Sequence, residues 1–378
     1  MDALAEAVLN SAAELPETEW DTLLGRNDFY SSSSWLGHVE LMGSASWGYL
    51  QRRADGRLRA GMTVHEMGLG ASPFNRVDHR VVNACRKAEP EADVPADLLR
   101  DLLVPALNCG GRTIGHSRVL THADARGEEA ADDTRALLAR AEEIARQRGL
   151  RSVCALYVDG EDTGFRSALR EAGFAEFENG RSSVLDIDFT DFEEYLGRFS
   201  KQSRKSYRKE RRRIHEAGVR IDVERMDGTN SRIIAAQGAA NSRRYGWDVT
   251  ESETQHGHDV SMRALPGRNE LLVARDAQGD PIGTLAFLQW RDEFYVREIG
   301  FDYDRLDGLP LYFEISFYRM IEEALARGVR LIDYTIEQEA TKRSRGCRQS
   351  MRYAYVKCLD PAGQKDIAEL LARTGGRS

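Results

Sequence analysis

One short pattern occurs twice in this chain and limits what it can fold into. Ala145-Arg-Gln-Arg-Gly149-Leu-Arg-Ser-Val153 and Ala324-Leu-Ala-Arg-Gly328-Val-Arg-Leu-Ile332 share Ala-x-x-Arg-Gly-apolar-Arg-x-apolar. In both, a helical pattern stops at a glycine, the residue that most easily takes the left-handed conformation closing a helix, and the residues beyond favour a strand. The surroundings repeat as well. Upstream lie hairpins turning on glycine, Tyr49–Gly56 into Gly61-Met-Thr-Val and Leu271–Gly279 into Gly283-Thr-Leu-Ala-Phe. Downstream come a short helix and another glycine, Phe165–Gly173 and Ala340–Gly346. Hairpin, long helix, strand, short helix, strand therefore occurs twice, and 378 residues suit two domains of about 150–200 residues each. The expected halves are 1–192 and 193–378.

The second copy is the clearer. Its strand Phe294–Gly300 precedes Pro310 at a helix start, an apolar stripe at Phe313, Phe317, Met320, Ile321 and Ala324, the Gly328 stop and the strand Leu331–Ile336. That order predicts an α/β (α+β) fold, a mixed sheet flanked by helices with a buried helix crossing it. In the first copy a longer connection, Pro73 to Gly115, separates hairpin from helix, and the helix is expected to begin near Asp132.

Charge is unevenly placed. The formal net charge is −8, yet Lys201 to Arg213 carries Lys201, Arg204, Lys205, Arg208, Lys209, Arg211, Arg212 and Arg213 against the single acid Glu210. On a helix Lys201, Lys205, Arg208 and Arg212 share one face, a stripe suited to phosphates, and Arg204, Arg208 and Arg211 the next. A solvated connecting helix has the same composition. No stretch approaches the roughly 18 apolar residues that span a bilayer. The acidic N-terminus does not read as a secretory signal, so the cytoplasm is expected. The five cysteines, an odd number without a Cys-x-x-Cys pair, are expected to be reduced thiols.

The repeated halves, the basic segment ending in Ala217-Gly218-Val219 and the late Lys342-x-x-Arg345-Gly346 resemble the Fem-like aminoacyltransferases of peptidoglycan bridges. They are equally similar to actinobacterial GNAT proteins of polysaccharide and natural-product pathways. The resemblance runs from about Phe29 to Cys358. It implies tandem GNAT-like acyltransferase folds, each a mixed, mostly antiparallel sheet flanked by helices, with a degenerate acceptor-side first half and a catalytic, donor-side second half. It implies transfer of an aminoacyl or acyl group from a tRNA ester or a coenzyme A thioester to an amine. The coenzyme loop of GNAT enzymes is missing. Its place in the second half, Phe301-Asp-Tyr-Asp-Arg-Leu-Asp-Gly308-Leu-Pro310, holds three aspartates that repel a pyrophosphate, and Arg112-Thr-Ile-Gly115-His-Ser117 is a poor match in the first. Fem-like enzymes also lack a good loop, so the expected co-substrate is aminoacyl-tRNA, with no bound cofactor and a small-molecule or cell-wall-type amine as acceptor. A coenzyme A-dependent N-acyltransferase and a non-catalytic nucleic-acid-binding module are the alternatives; no membrane or DNA partner is expected.

Such a transfer needs an amine that loses a proton and cations or donors aimed at the developing oxyanion and the leaving oxygen. Candidates are Glu298 on the strand before the long helix, Tyr334 and Glu337 at the end of the next strand, then Lys342, Arg345 and Arg348. By the resemblance Lys342 is assigned to charge stabilisation; as plain sequence, Lys342 and Arg345 also read as surface helix charges. Glu298 and Glu337 are bases or grips for the acceptor's amine, or else ion-pair partners of Arg297 or Arg348. Arg204, Lys205, Arg208 and Arg212 are expected to bind the donor, with Arg345 and Arg348. In Asn241-Ser-Arg-Arg-Tyr-Gly-Trp247, Arg243, Tyr245 and Trp247 suit stacking on bases, although Tyr245 and Trp247 also read as core. Asp28–Trp35 and Asn75–His79 resemble the family's acceptor side. His256-x-His258, expected in a polar loop with no third ligand nearby, is not read as a metal site.

Overall fold

The computed structural model describes residues 5–43, 47–91, 93–111, 116–125 and 127–373. Of the weak phosphate-loop match, Arg112 to Gly115 lie outside the described residues. The chain divides into two compact units, Met1–Ser182 with Ser350–Ser378, and Ser183–Gln349. The boundary expected between 192 and 193 thus falls inside the second unit, and the C-terminal segment expected to complete the second half belongs with the first.

The first unit carries β1 (Ala5–Leu9), β2 (Trp47–Ala54), β3 (Arg57–Met67), β4 (Ala106–Cys109), β5 (Leu120–Thr121), β6 (Ser152–Asp159) and the start of β7 (Ala175–Asp186). β1, β2, β3 and β4 pair antiparallel in sequence, and β4 pairs parallel with β6. The helix Glu128–Gln147, starting one turn earlier than expected, lies between β5 and β6. It buries Leu137, Leu138, Ala141, Ile144 and Ala145 against Leu50, Met62, Val64, Leu107 and Val153, an apolar stripe of helical period.

The second unit carries β8 (Arg220–Arg225), β9 (Asn269–Arg275), β10 (Pro281–Trp290), β11 (Glu293–Phe301) and β12 (Leu331–Ile336), then the start of β13 (Arg348–Cys358). β8 to β11 pair antiparallel in order and β11 pairs parallel with β12. The crossing helix runs from Leu311 to Ala326, wound as a π-helix over Glu314–Tyr318, and buries Leu311, Ile315, Phe317, Met320, Ile321 and Ala324.

The two sequence motifs occupy equivalent places. Gly149 and Gly328 both close their helices at φ 66°. The parallel pairing then begins at equivalent motif positions, Ser152 opposite Ala106 and Leu331 opposite Glu293. Gly173 and Gly346 end the short helices at φ 82° and 85°. Each unit is thus a mixed, mostly antiparallel sheet flanked by helices, as the resemblance implied. β13 continues from Ser350 into the first unit, where Arg352–Cys358 pair antiparallel with β6. All five cysteines are buried free thiols. Among the described residues no helix is long and apolar enough to cross a membrane.

Candidate active site

β11 and β12 pair only over Glu293–Tyr295 and Leu331–Asp333, and beyond that point β11 follows β10 alone. Opposite β10 the register slips, Ala286 facing Glu298 and Phe287 facing Val296, so Arg297 is an extra residue. Such a bulge re-aims the side chains beside it. Glu298 is the first residue past it. The helix Asn230–Arg244 lies against this stretch with glycine facing glycine: a Cβ on Gly238 would overlap Glu298 Oε1, and one on Gly300 would strike the backbone of Gln237 and Gly238. The helix Glu251–Ala264 brings His258 Nε2 to 3.0 Å from Glu298 Oε2. His258 is buried on that helix, not in a loop as expected, and Thr250 and Glu253 cap the helix reciprocally. The carboxylate of Glu298 remains 27% exposed. Among the described residues no group of three or more His, Cys, Asp or Glu is placed to hold a metal ion.

The end of β12 is strained. Thr335, Glu337 and Gln338 all have positive φ, 58°, 69° and 51°, a conformation side chains with a Cβ resist. Lys342, from the helix Glu339–Ser344, ties this turn together: its Nζ donates to the carbonyls of Tyr334 and Ile336 at 2.6 Å each. It is therefore not the surface charge that its sequence also allowed. Burial lowers its pKa to about 8, and of the three protons on an ammonium two are spent on the carbonyls. Glu337 is exposed on the same turn and close enough to favour the Lys342 ammonium. The Cys347 thiol beside it is pushed up to about 12 by burial and stays protonated. The Tyr334 hydroxyl donates to the Ser316 carbonyl at 2.6 Å, and its ring packs on Phe317. Burial holds its pKa well above the usual tyrosine value, so it is a neutral core phenol committed to the crossing helix.

The remaining cations separate into docked and free. Arg345 is buried, its guanidinium stacked on Tyr207 at 4.2 Å and Phe313 at 4.0 Å and paired with Glu210 at 3.1 Å. Arg348 is exposed and bonded to Asp186. The basic segment forms the helix Lys201–Glu216, and one side of it is fastened down. Arg204 donates to the Phe199 carbonyl, Arg211 pairs with Glu314 and Glu322, and Arg213 donates to the Gly308 carbonyl. Of the expected stripe, Arg208 pairs with Glu193 at 2.5 Å. Lys201, Lys205, Lys209 and Arg212 are exposed and make no hydrogen bond or ion pair among the described residues. At the end of the helix Asn230–Arg244, Arg243 is exposed, and Tyr245 and Trp247 are 62% and 41% exposed, so neither aromatic is core. Arg244 stacks on Tyr303, which follows β11.

The sequence singled out His258 only beside His256 and gave no sign of the glycine pair. The Thr250-x-x-Glu253 capping box was the signal for the helix; nothing local pointed from His258 to Glu298.

The fold recurs in solved structures. FemX superposes with a TM-score of 0.63 at 13% identity, over 97% of this chain and 99% of that one. A tandem GNAT protein from the clavulanic acid biosynthesis pathway gives 0.56 at 13%, over 95% and 99%. L-PGS from Bacillus licheniformis gives 0.51 at 12%, over 91% and 93%. At these identities the likeness is one of fold. The chain is an acyltransferase built on tandem GNAT-like units. Residues 114–376 match the FemAB-like family, described as peptidoglycan biosynthesis/recognition, and the chain belongs to that family. No curated protein matches the sequence.

Proposed function

We propose that the protein moves an aminoacyl group from aminoacyl-tRNA, in the cytoplasm, to an amine on a cell-wall-type or small-molecule acceptor. The observation that carries this reading is the solvent-facing row of unpaired cations, Lys201, Lys205, Lys209 and Arg212, on one helix of a chain whose net charge is −8. A row at helical spacing matches the regular phosphates of a nucleic-acid backbone. The places where a GNAT enzyme would hold coenzyme pyrophosphate are acidic instead. Glu128 and Glu129 open the first unit's long helix and Glu314 lies in the first turn of the π-wound stretch in the second. Arg305, the cation of the preceding loop, is taken by Asp276 and Asp280. The family description and the likeness to FemX support a cell-wall-type acceptor.

In this reading the third proton of Lys342 faces the oxyanion or the departing ribose oxygen. Glu298 or Glu337 receives the acceptor's amine, Arg243, Tyr245 and Trp247 stack on donor bases, and Tyr334 orders the strand end. Heat protection separates the carriers. Total tRNA should raise the melting temperature in low salt, with the gain lost as salt rises, and coenzyme A should not. Protection by coenzyme A alone would make the protein a coenzyme A-dependent acyltransferase.

A further inference from the structure

Glu298 is held by three elements of the second unit at once. It follows the bulge at Arg297 and faces Ala286 of β10, Gly238 leaves room for Oε1, and His258 Nε2 lies 3.0 Å from Oε2. The imidazole is buried while the carboxylate keeps an open side, so a ligand reaches Glu298 and not His258. A surface ion pair needs none of this. Gly238 and Gly300 bring helix and strand so close that any side chain at either would displace what it faces.

On the reading that Glu298 takes the acceptor amine's proton, we propose that His258 is its positioning residue, with Gly238 providing the recess. This rests on the reading that the acceptor is an amine, and not on which carrier brings the acyl group. In the step, the acceptor ammonium gives one proton to the Glu298 carboxylate. The freed nitrogen bonds to the donor carbonyl carbon, and the bond from that carbon to the ribose oxygen breaks. The nitrogen's second proton passes to that oxygen, which leaves as a hydroxyl, and the proton on Glu298 is released to water. One ester and one ammonium become one amide, one alcohol and one proton. A buried imidazole 3.0 Å from the carboxylate narrows the space in which the carboxylate can turn, which is how a supporting residue raises turnover without touching substrate.

The test measures kcat and KM for transfer to a metabolite-extract amine, in parallel from total [14C]aminoacyl-tRNA and from [14C]acetyl-CoA. His258→Ala should lower kcat by roughly tenfold to hundredfold and leave KM for the donor within about twofold. His258→Gln, which keeps a polar side chain of similar reach beside the carboxylate, should recover most of it. Gly238→Ala should lose turnover as His258→Ala does, although its carboxylate and imidazole are both intact. Melting temperatures of all three identify any variant that fails by unfolding. If His258→Ala, folded, turns over within about threefold of the unmodified enzyme, or if His258→Gln recovers nothing, the positioning role is overturned. If only acetyl-CoA supports transfer, the tRNA reading fails while the His258 comparison, made with that donor, still decides this proposal.

Discussion

At the scale of single residues, Lys342 links structure to chemistry most directly. Its ammonium is held by two carbonyls of a strained turn, so substitution acts on the turn and on any charge that develops beside it. A buried cation directed at an oxyanion contributes about 3 kcal/mol, on the order of a hundredfold in rate. Lys342→Ala should therefore depress kcat by about that factor with little change in donor binding. Lys342→Arg should recover little, since a planar fork does not fit between two carbonyls spaced for an ammonium. The pKa of about 8 adds a signature. Turnover should fall as pH rises through about 8, when the ammonium loses its proton. Stability should move the other way: between about 8 and the ordinary lysine value near 10.4 the unfolded chain binds the extra proton, so the folded state gains with pH. A pH–rate profile and melting curves over that range test both signs, and Lys342→Met should flatten both.

At the scale of elements, the basic helix divides its charges between two tasks. Reversing Lys201, Lys205 and Arg212 to Glu should leave the melting temperature nearly unchanged, because these exposed side chains hold no hydrogen bond or ion pair among the described residues, and should reduce the salt dependence of tRNA binding by about one logarithmic unit per lost phosphate contact. Unchanged tRNA affinity in filter binding would make the row mere solvated surface. Arg345→Ala should do the opposite, destabilising the fold by roughly 1–3 kcal/mol, because it removes a buried guanidinium stacked on Tyr207 and Phe313 and leaves the half-buried Glu210 with only hydroxyl partners. Denaturant titration measures that loss. The elements themselves were legible in the sequence: glycine caps, hairpin turns and the 3.6-residue stripe of the crossing helix are local signals, and each marks an element that is present. The docked side of the basic helix was not legible, because Arg204 and Arg211 read like their free neighbours until Phe199, Glu314 and Glu322 are brought to them. Nor was the meeting of His258 with Glu298, which long-range packing of a helix on a strand creates. The exposure of Tyr245 and Trp247 ran against the usual burial of aromatics, which local composition cannot reveal.

At the scale of the whole molecule, the repeat predicted two like units; the paired glycine caps take the same φ, and the parallel registers begin at equivalent motif positions. The destination of the last strand escaped the sequence, since an alternating apolar strand encodes which face is buried and not which sheet it joins. The central claim is that the acyl group arrives on tRNA and leaves on an amine. The direct measurement is incubation of total [14C]aminoacyl-tRNA with the enzyme and a metabolite extract, followed by counts of ester-bound label and of label in alkali-stable small molecules. The account predicts that ester-bound label falls as alkali-stable label rises, and that Lys342→Ala slows both about a hundredfold. Ester-bound label unchanged by the enzyme, in the same extract where [14C]acetyl-CoA is consumed, would contradict it.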